Sequence, residues 1–329
     1  MANNILVVAE HFQGHVTDIT FELLGEAREL ARALGGNVGV ALLGHDVAGL
    51  VSALGAADVV YVADCLELRE FIPDSYAAVL ASKIAHASPR VILLGSTSVG
   101  LDLLSLLSAR LNLPCIDNCI ALKVQEGGLV ATSQIYGGKV FAEVLLPQRT
   151  TLVAVAPGTF SVEVGKVSGK PQVVQFPYVP AAPEPRTSFR RWIEPPPGDV
   201  DITKVPVLVS IGRGIKNAEN VPQAQELADL LGGAVSGSRP VIDQGWLPKT
   251  RQVGKSGMTV KSKLYLALGI SGAPEHVEGM KGAELIVAIN TDPQAPIFSV
   301  AHYGVVADVF DILPSLTEEI KARQDTSAA

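Results

Sequence analysis

The stretch from 205 to 311 decides the fold; it opens VPVLVSIGRGIKNAEN (205–220) and closes ELIVAINTDPQAPIFSVAHYGVVADVF (284–310). Four short apolar runs in it each end in glycine, a small polar residue or Asp, at 205–209, 264–270, 285–289 and 305–309. Buried parallel strands deliver ligand-binding loops at their carboxyl ends in this manner. The stretch therefore predicts a parallel-sheet domain with a ligand site along one edge, and the residues before it are predicted to be scaffold.

The N-terminal part alternates strands with helices. Strands are predicted at 5–9, 38–43, 57–64 and 89–97, and helices at 20–34, 47–54, 74–87 and 100–111. This alternation is typical of a doubly wound parallel sheet. From residue 120 the pattern changes to consecutive strands, which predict an antiparallel extension made of 120–124, 129–135, 139–146 and 150–155.

A proline-rich segment, 177–199, separates the two patterns and fits neither helix nor strand interior. We therefore predict an N-terminal α/β scaffold domain over 1–185, a linker over 186–204 and a C-terminal domain over 205–329. The length of 329 residues agrees with two domains.

The net charge and the distribution of apolar residues argue against two classes of function, nucleic-acid binding and membrane spanning. The net charge of −7 gives no reason to expect nucleic-acid binding. The sequence has no uncharged apolar run of the ~18 residues that a transmembrane helix needs, and its N-terminus has no basic or transit-type segment. We expect a cytoplasmic prokaryotic protein.

Cys65, Cys115 and Cys119 lack the spacing of zinc or iron–sulfur ligands, so we expect reduced thiols and no metal site.

The turn GSTSVG (95–100) follows a strand and opens a helix, and such a turn can hold phosphate. It lacks the GxGxxG order and the Walker lysine. A tight turn that caps a helix is therefore the better interpretation, and a nucleotide-sensing module built on this domain is disfavoured.

Six sequence blocks in the C-terminal domain follow one another in a characteristic order: GRG (212–214), SGSR (236–239), GW (245–246), QVGKSG (252–257), GISGA with His276 (269–276) and AINTDPQAPIF (288–298). Their order and spacing resemble the FAD domain of the alpha subunit of electron-transfer flavoproteins. The N-terminal part resembles the same family more loosely. The resemblance implies an α/β fold of two domains, with a nucleotide-binding-like sheet first and an FAD-binding parallel sheet second.

The resemblance also implies the partners. FAD would bind this chain, and a beta subunit would complete a heterodimer and hold AMP or a second FAD. Acyl-CoA dehydrogenases or similar flavoenzymes would supply electrons, and a quinone oxidoreductase or another acceptor would receive them. The residues contain no nucleophile–base pattern, so an electron carrier with no catalytic residues is expected rather than a substrate-converting enzyme.

Specific roles follow from the matched positions. Arg239 would lie against the isoalloxazine, where its charge would stabilise the anionic reduced ring; a surface ion pair is the alternative. Arg213 would be a second cofactor arginine. Ser256 stands where the family usually carries Thr, whose hydroxyl reaches flavin N5, and His276 would lie near the flavin C2 carbonyl. Lys255 stands where Gln is common in the family, and its charge would lie beside the ring or the phosphates.

The remaining roles concern the two ends of the dinucleotide. Small residues would offer backbone N–H groups to the pyrophosphate, helped by the N-terminus of a helix over 274–280. Asn290 and Asp308 would meet the adenosine end, with helix capping or an Asx turn as the alternative. Glu275 replaces a common Gln. The predicted FAD-binding residues are Arg213, Ser238, Arg239, Gln252, Val253, Gly254, Lys255, Ser256, Gly269, Ser271, Gly272, Ala273, Glu275, His276, Asn290, Asp308 and Val309.

Two other functions stay open at this point. One is an electron-bifurcating flavoprotein, in which the beta subunit holds a second FAD and oxidises NADH. The other is an NAD-dependent enzyme on a deoxyhypusine synthase-like fold, for which Lys255, Lys261 and Lys263 are available but no motif supports them.

Overall fold

The computed structural model describes residues 4–125, 128–136, 138–192 and 199–328. The chain divides into two compact units, Met1–Arg191 and Trp192–Ala329. The predicted linker, 186–204, includes 193–198, which lie outside the described residues. Beyond them, Ile202 is buried in a core of the C-terminal unit, and the Asp199 carboxylate lies 2.5 Å from Arg251 Nε.

The N-terminal unit is a mixed sheet flanked by helices. Its strands are β1 (Ile5–Val8), β2 (His11–Phe12), β3 (His15–Val16), β4 (Val38–Gly44), β5 (Val59–Asp64), β6 (Val91–Gly95), β7 (Cys115–Gln125), β8 (Gly128–Ile135), β9 (Val140–Leu145), β10 (Thr151–Val155) and β11 (Gln172–Gln175). Its helices are α1 (Asp18–Leu34), α2 (Pro73–Ala87), α3 (Ser98–Leu111) and α4 (Val162–Gly165).

Within the described residues, nine of these strands form one sheet in the order β11-β5-β4-β1-β6-β10-β7-β8-β9, and β2 pairs with β3 as a small hairpin. The predicted doubly wound sheet and its antiparallel extension are confirmed: β8 runs antiparallel to β7, and β9 runs antiparallel to β8. One strand was assigned wrongly: 151–155 lies inside the parallel part, between β6 and β7. Its sequence TLVAV is buried throughout, as a strand covered on both faces requires.

The strand order reverses between β1 and β6, where ligands bind in many open α/β sheets. In this sheet the Glu10 side chain lies at that position. The Thr97 hydroxyl lies 2.8 and 2.9 Å from the two carboxylate oxygens of Glu10. Thr97 also accepts the Gly100 N–H and so caps α3, as the turn at 95–100 predicted. Burial raises the pKa of Glu10 to about 7.

The C-terminal unit is a five-stranded parallel sheet with helices on both faces. Its strands are β12 (Val207–Ile211), β13 (Ala234–Gly237), β14 (Leu264–Leu268), β15 (Leu285–Asn290) and β16 (Tyr303–Val306), in the order β13-β12-β14-β15-β16. Every pair in it is parallel. Its helices are α5 (Val221–Leu230), α6 (Arg239–Asp243), α7 (Pro274–Met280) and α8 (Val309–Ala328).

Successive strand residues alternate between two buried cores. Leu208 and Tyr265 face one core, whereas Val209 and Leu266 face the other. The sheet is therefore covered on both faces, which explains the continuous apolar runs. Strand β13 was missed because AVSG is too short to show a pattern. The last strand ends at Val306 rather than 309, because Asp308 caps α8 by accepting the Phe310 N–H at 3.1 Å.

Candidate functional site

The loops that leave the carboxyl ends of the five C-terminal strands surround a cavity of about 840 Å³. This volume lies within the ~300–1,000 Å³ typical of ligand pockets. All seventeen residues predicted from the sequence as cofactor contacts line this cavity. Six further residues line it and were not predicted: Gly212, Gly214, Lys216, Pro240, Ile270 and Thr291. Whether the seventeen contact a flavin stays a prediction.

Glycines interlock the loops around the cavity. A Cβ on Gly212 would lie 2.3 Å from the Gly269 carbonyl oxygen, and one on Gly272 would lie 2.3 Å from the Ile297 nitrogen. A Cβ on Gly254 would lie 2.8 Å from the Glu275 carbonyl oxygen. The sequence analysis predicted that Gly254 and Gly272 contact the cofactor, with small residues offering backbone N–H groups to the pyrophosphate. The structure adds that they let neighbouring loops touch, which holds the cavity walls together.

Cationic side chains exceed carboxylates around the cavity. Arg213, Lys216, Arg239 and Lys255 line it, against Glu275 and Asp308. Small residues and backbone at 252–256 and 269–273 occupy much of the remaining wall. This donor set suits an anionic ligand that binds both backbone N–H groups and fixed positive charges, as a pyrophosphate does.

Arg239 opens α6 directly after Ser238, with Pro240 at the second helical position. Its side chain is 68% exposed, and its Nε lies 3.5 Å from a carboxylate oxygen of Asp243. The surface ion pair that the sequence analysis kept as an alternative is thus present. Exposed pairs of this length contribute little free energy, so this one does not prevent Arg239 from serving a ligand in the cavity it lines.

Ser256 is oriented by a buried amide. The Gln252 side chain is buried, and its Nε2 donates to Ser256 Oγ at 2.8 Å. The Ser256 hydroxyl hydrogen is left to donate elsewhere, since a hydroxyl both accepts and donates. The loop is tied to the start of α7 by the Lys255 N–H, which donates to the Glu275 carbonyl at 2.7 Å. This arrangement suits the predicted role of Ser256 as a donor to the ligand.

His276 lines the cavity from the first turn of α7 and is itself buried. Burial lowers the pKa of its ring to about 4, and the nearby Val253 carbonyl opposes this only in part. The ring is therefore neutral at pH 7 in the structure. Any stabilisation of an anionic ligand by this residue comes first from a hydrogen bond rather than from a charge.

The structure gives Asn290 and Asp308 local partners. Asn290 donates its side-chain amide to the Ile270 carbonyl at 2.8 Å and accepts the Asp292 N–H, so it also ties two loops together. Asp308 caps α8 and lies 2.8 Å from Lys216 Nζ. The hydrogen bond from Lys216 lowers the pKa of Asp308 and keeps it ionised. Sequence reasoning missed Lys216, whose only signal was its place after GRG.

The sequence of this chain matches two domains of one known protein family. The electron transfer flavoprotein domain matches residues 5–181, and the electron transfer flavoprotein FAD-binding domain matches residues 201–281. The alpha subunit of the electron transfer flavoprotein of Thermoanaerobacterium thermosaccharolyticum is 37% identical over 97% of this chain and 98% of its own length. The chain belongs to the electron-transfer flavoprotein alpha-subunit family.

Other members of the family carry more specific names. The electron transfer flavoprotein alpha subunit of Methylophilus methylotrophus is 39% identical over 98% of this chain and 99% of its own length. The LctC subunit of the lactate dehydrogenase (NAD(+),ferredoxin) of Acetobacterium woodii is 34% identical over 98% of this chain and 78% of its own.

Family membership establishes the cofactor class. The chain is a flavoprotein subunit of electron transport that binds FAD, and membership implies a heterodimer with a beta-type subunit. The residues around the C-terminal cavity fit FAD, because interlocked glycine loops and four cationic side chains against two carboxylates line one space. Among the helices of the described residues, none combines the length and hydropathy of a membrane span.

Proposed function

We propose that this chain holds its FAD in the C-terminal cavity and, with a beta-type subunit, passes electrons from flavin dehydrogenases to an acceptor. Acyl-CoA dehydrogenases are the proposed donors and a quinone oxidoreductase is the proposed acceptor. One observation carries the proposal. The seventeen residues matched to the family's FAD-binding positions line one cavity, although they come from five separate sequence blocks and from the end of the last strand. A prokaryotic cytoplasmic location is part of this proposal, supported by the bacterial relatives.

FAD supplies the reversible uptake of electrons, and the chain sets the potential and the access. The backbone of 252–256 and 269–273 would hold the pyrophosphate, and Arg213 would add charge. Arg239 would stabilise negative charge on the reduced ring, while Ser256, oriented by Gln252, would donate to it. Lys216 and Asp308 would hold the adenosine end.

An exposed apolar edge supports a protein partner. In the part of the chain that the structure describes, strand β9 is the last strand of the N-terminal sheet, and Val140, Phe141 and Leu145 on it are 45%, 57% and 59% exposed. Tyr136, just before it, is 79% exposed. An unpaired edge with large apolar side chains is a site for association. We propose that the beta-type subunit covers it, so the chain expressed alone should be poorly soluble or lose flavin. Sedimentation that shows a stable, flavin-loaded monomer would contradict this.

A bifurcating subunit is the second candidate, because one relative belongs by name to a lactate dehydrogenase that uses NAD and ferredoxin. In that case the beta-type subunit holds a second FAD and oxidises NADH. The two candidates differ in the number of flavins per heterodimer.

The deciding experiment is co-expression with a beta-type subunit, followed by the absorbance spectrum and nucleotide analysis of the purified heterodimer. One FAD with one AMP supports the single-flavin carrier, and two FAD with NADH oxidation support bifurcation. A heterodimer with no flavin after reconstitution with FAD would overturn both.

A further inference from the structure

A chain of buried polar side chains crosses the floor of the C-terminal sheet and ends at His276. Tyr265, on the central strand β14, has none of its surface exposed. Its hydroxyl lies 2.7 Å from Ser210 Oγ on β12 and 2.9 Å from His276 Nε2 on α7. The three side chains belong to three elements, so the contacts depend on the tertiary fold rather than on local sequence.

These groups lie in an otherwise apolar environment. Leu208, Val253, Val260 and Met280 belong to the same core as Tyr265. Burial raises the pKa of Tyr265, and the nearby hydroxyls of Ser210 and Ser236 oppose that effect. A hydroxyl buried in such a core destabilises the fold unless it is hydrogen-bonded. A phenylalanine would fill the same space without this requirement, so packing alone does not explain the tyrosine.

The contact with Tyr265 decides which nitrogen of His276 is available. Nε2 is occupied by the Tyr265 hydroxyl, whereas Nδ1 is buried and makes no hydrogen bond of normal geometry among the described residues, although the Val253 carbonyl lies near the ring. Because a hydroxyl rotates, the observed distances allow either direction of donation. If Ser210 donates to Tyr265 and Tyr265 donates to Nε2, then Nδ1 carries the ring hydrogen. A ligand carbonyl beside the ring would select this arrangement.

We propose that Tyr265 is a positioning residue for His276: held by Ser210, it donates to Nε2 and thereby presents Nδ1–H as the donor to a carbonyl oxygen of the bound flavin. This inference rests on the proposed function, since it requires flavin in the cavity. Neither Tyr265 nor Ser210 lines the cavity. Their proposed role is to select the tautomer of His276.

The test is long-range ¹H–¹⁵N spectroscopy of the heterodimer with ¹⁵N-labelled histidine, with and without FAD. The chain has six histidines, and loss of one signal set in His276→Gln assigns the residue. In the FAD-loaded wild type we expect the Nδ1–H tautomer from pH 6 to 8. In Tyr265→Phe this preference should be lost, the dissociation constant for FAD should rise about tenfold, and the flavin midpoint potential should fall.

Two further variants separate positioning from packing. Ser210→Ala keeps the tyrosine and removes its hydrogen bond to Ser210. It should therefore shift the His276 tautomer and the flavin potential in the same direction as Tyr265→Phe, but by less. If Tyr265→Phe does not fold, Ser210→Ala takes its place in the test. Ser262→Ala, which removes another buried hydroxyl away from the cavity, should change neither. An unchanged tautomer and potential in both Tyr265→Phe and Ser210→Ala would overturn the proposal.

The outcome also separates this inference from the proposed function. A tautomer change in Tyr265→Phe with unaltered FAD affinity and potential would mean that flavin lies elsewhere. FAD affinity that responds to Gly272→Ala but not to Tyr265→Phe would mean that the cavity holds flavin and Tyr265 does not position His276.

Discussion

The two sheets of this protein share an architecture and differ at their carboxyl edges. In the N-terminal sheet, the point where the strand order reverses is filled by the Glu10 carboxylate, bonded to Thr97. In the C-terminal sheet, the equivalent edge surrounds a cavity with more cations than carboxylates. A parallel sheet supplies an edge where loops converge, and the side chains that meet there decide whether a ligand can bind.

The turns at the two edges are also built differently. A Cβ on Gly100 would lie 1.9 Å from the Gly95 carbonyl oxygen, so the N-terminal turn closes on itself. The C-terminal glycines instead bring separate loops together: Gly212 and Gly214 contact Gly269, and Gly272 contacts the segment at Ile297. Loops held by one another can keep a space between them, whereas a turn closed on itself leaves none.

The largest expected effect tests the interlocked loops. Gly272 has φ +84°, and a Cβ there would lie 2.3 Å from the Ile297 nitrogen. Gly272→Ala should lower the free energy of unfolding of the C-terminal unit by about 3 kcal/mol and reduce FAD retention. Gly232→Ala is the matched control, since Gly232 has φ +63° and nothing within 4 Å of its added Cβ. It should cost about 1 kcal/mol. Equal effects in urea titrations would show that only backbone strain matters.

The next effect tests the N-terminal edge. Burial raises the pKa of Glu10 from 4.5 to about 7, so the folded state binds more protons than the unfolded state between these values. Stability should therefore fall as pH rises from 4.5 to 7 and stay lower above it. Glu10→Gln should remove this loss, gaining up to about 3 kcal/mol at pH 8 and nothing near pH 4.5. Denaturant titrations at both pH values measure it, and a Gln variant no more stable at pH 8 would refute the assignment.

A smaller effect concerns the charge beside the proposed flavin. Arg239→Ala should keep FAD bound, more weakly, and lower its midpoint potential by the equivalent of about 1 kcal/mol, since solvent screens an exposed charge. Arg239→Lys should recover part of the loss, because an ammonium cannot stack as a guanidinium does. Redox titration with reference dyes measures the shift. Lys249→Ala, which removes an exposed charge outside the cavity, is the control. Potentials that are unchanged in Arg239→Ala would place the ring elsewhere.

The smallest effect concerns the proposed adenosine end. The hydrogen bond from Lys216 lowers the pKa of Asp308. The ionised carboxylate therefore stabilises the folded state fully above the ordinary pKa of an Asp side chain, and this stabilisation is lost as pH falls through the lowered pKa. Lys216→Met should weaken FAD binding by a factor of about 3 and move its loss on acidification to higher pH. FMN lacks the adenosine, so its binding should not respond. An equal response of FAD and FMN would remove Lys216 and Asp308 from that end.

The sequence predicted most of the cavity because its signals are local. Small residues after an apolar run mark a strand end, and parallel strand ends share one edge, so the blocks from Arg213 to Asp308 had to converge. Four of the five C-terminal strands were predicted on this basis. The family resemblance then supplied the individual residues, and the structure places them around one space.

The rest depends on register and burial, which a sequence pattern does not contain. Ser210 and Tyr265 interrupt apolar strands without showing that they meet each other and His276. Strand 151–155 has the composition of any buried strand, so its parallel partners were not visible. Glu10 looks like an ordinary surface carboxylate after β1 until Thr97 is seen to bond it.

Hydrogen–deuterium exchange on the heterodimer, with FAD bound and after FAD is stripped, compares the two edges in one measurement. FAD should slow exchange in peptides that cover 212–216, 252–256 and 269–276, and it should leave the turn at 95–100 unchanged, because Glu10 already fills that edge. Protection of 95–100 without protection of the C-terminal loops would contradict the account.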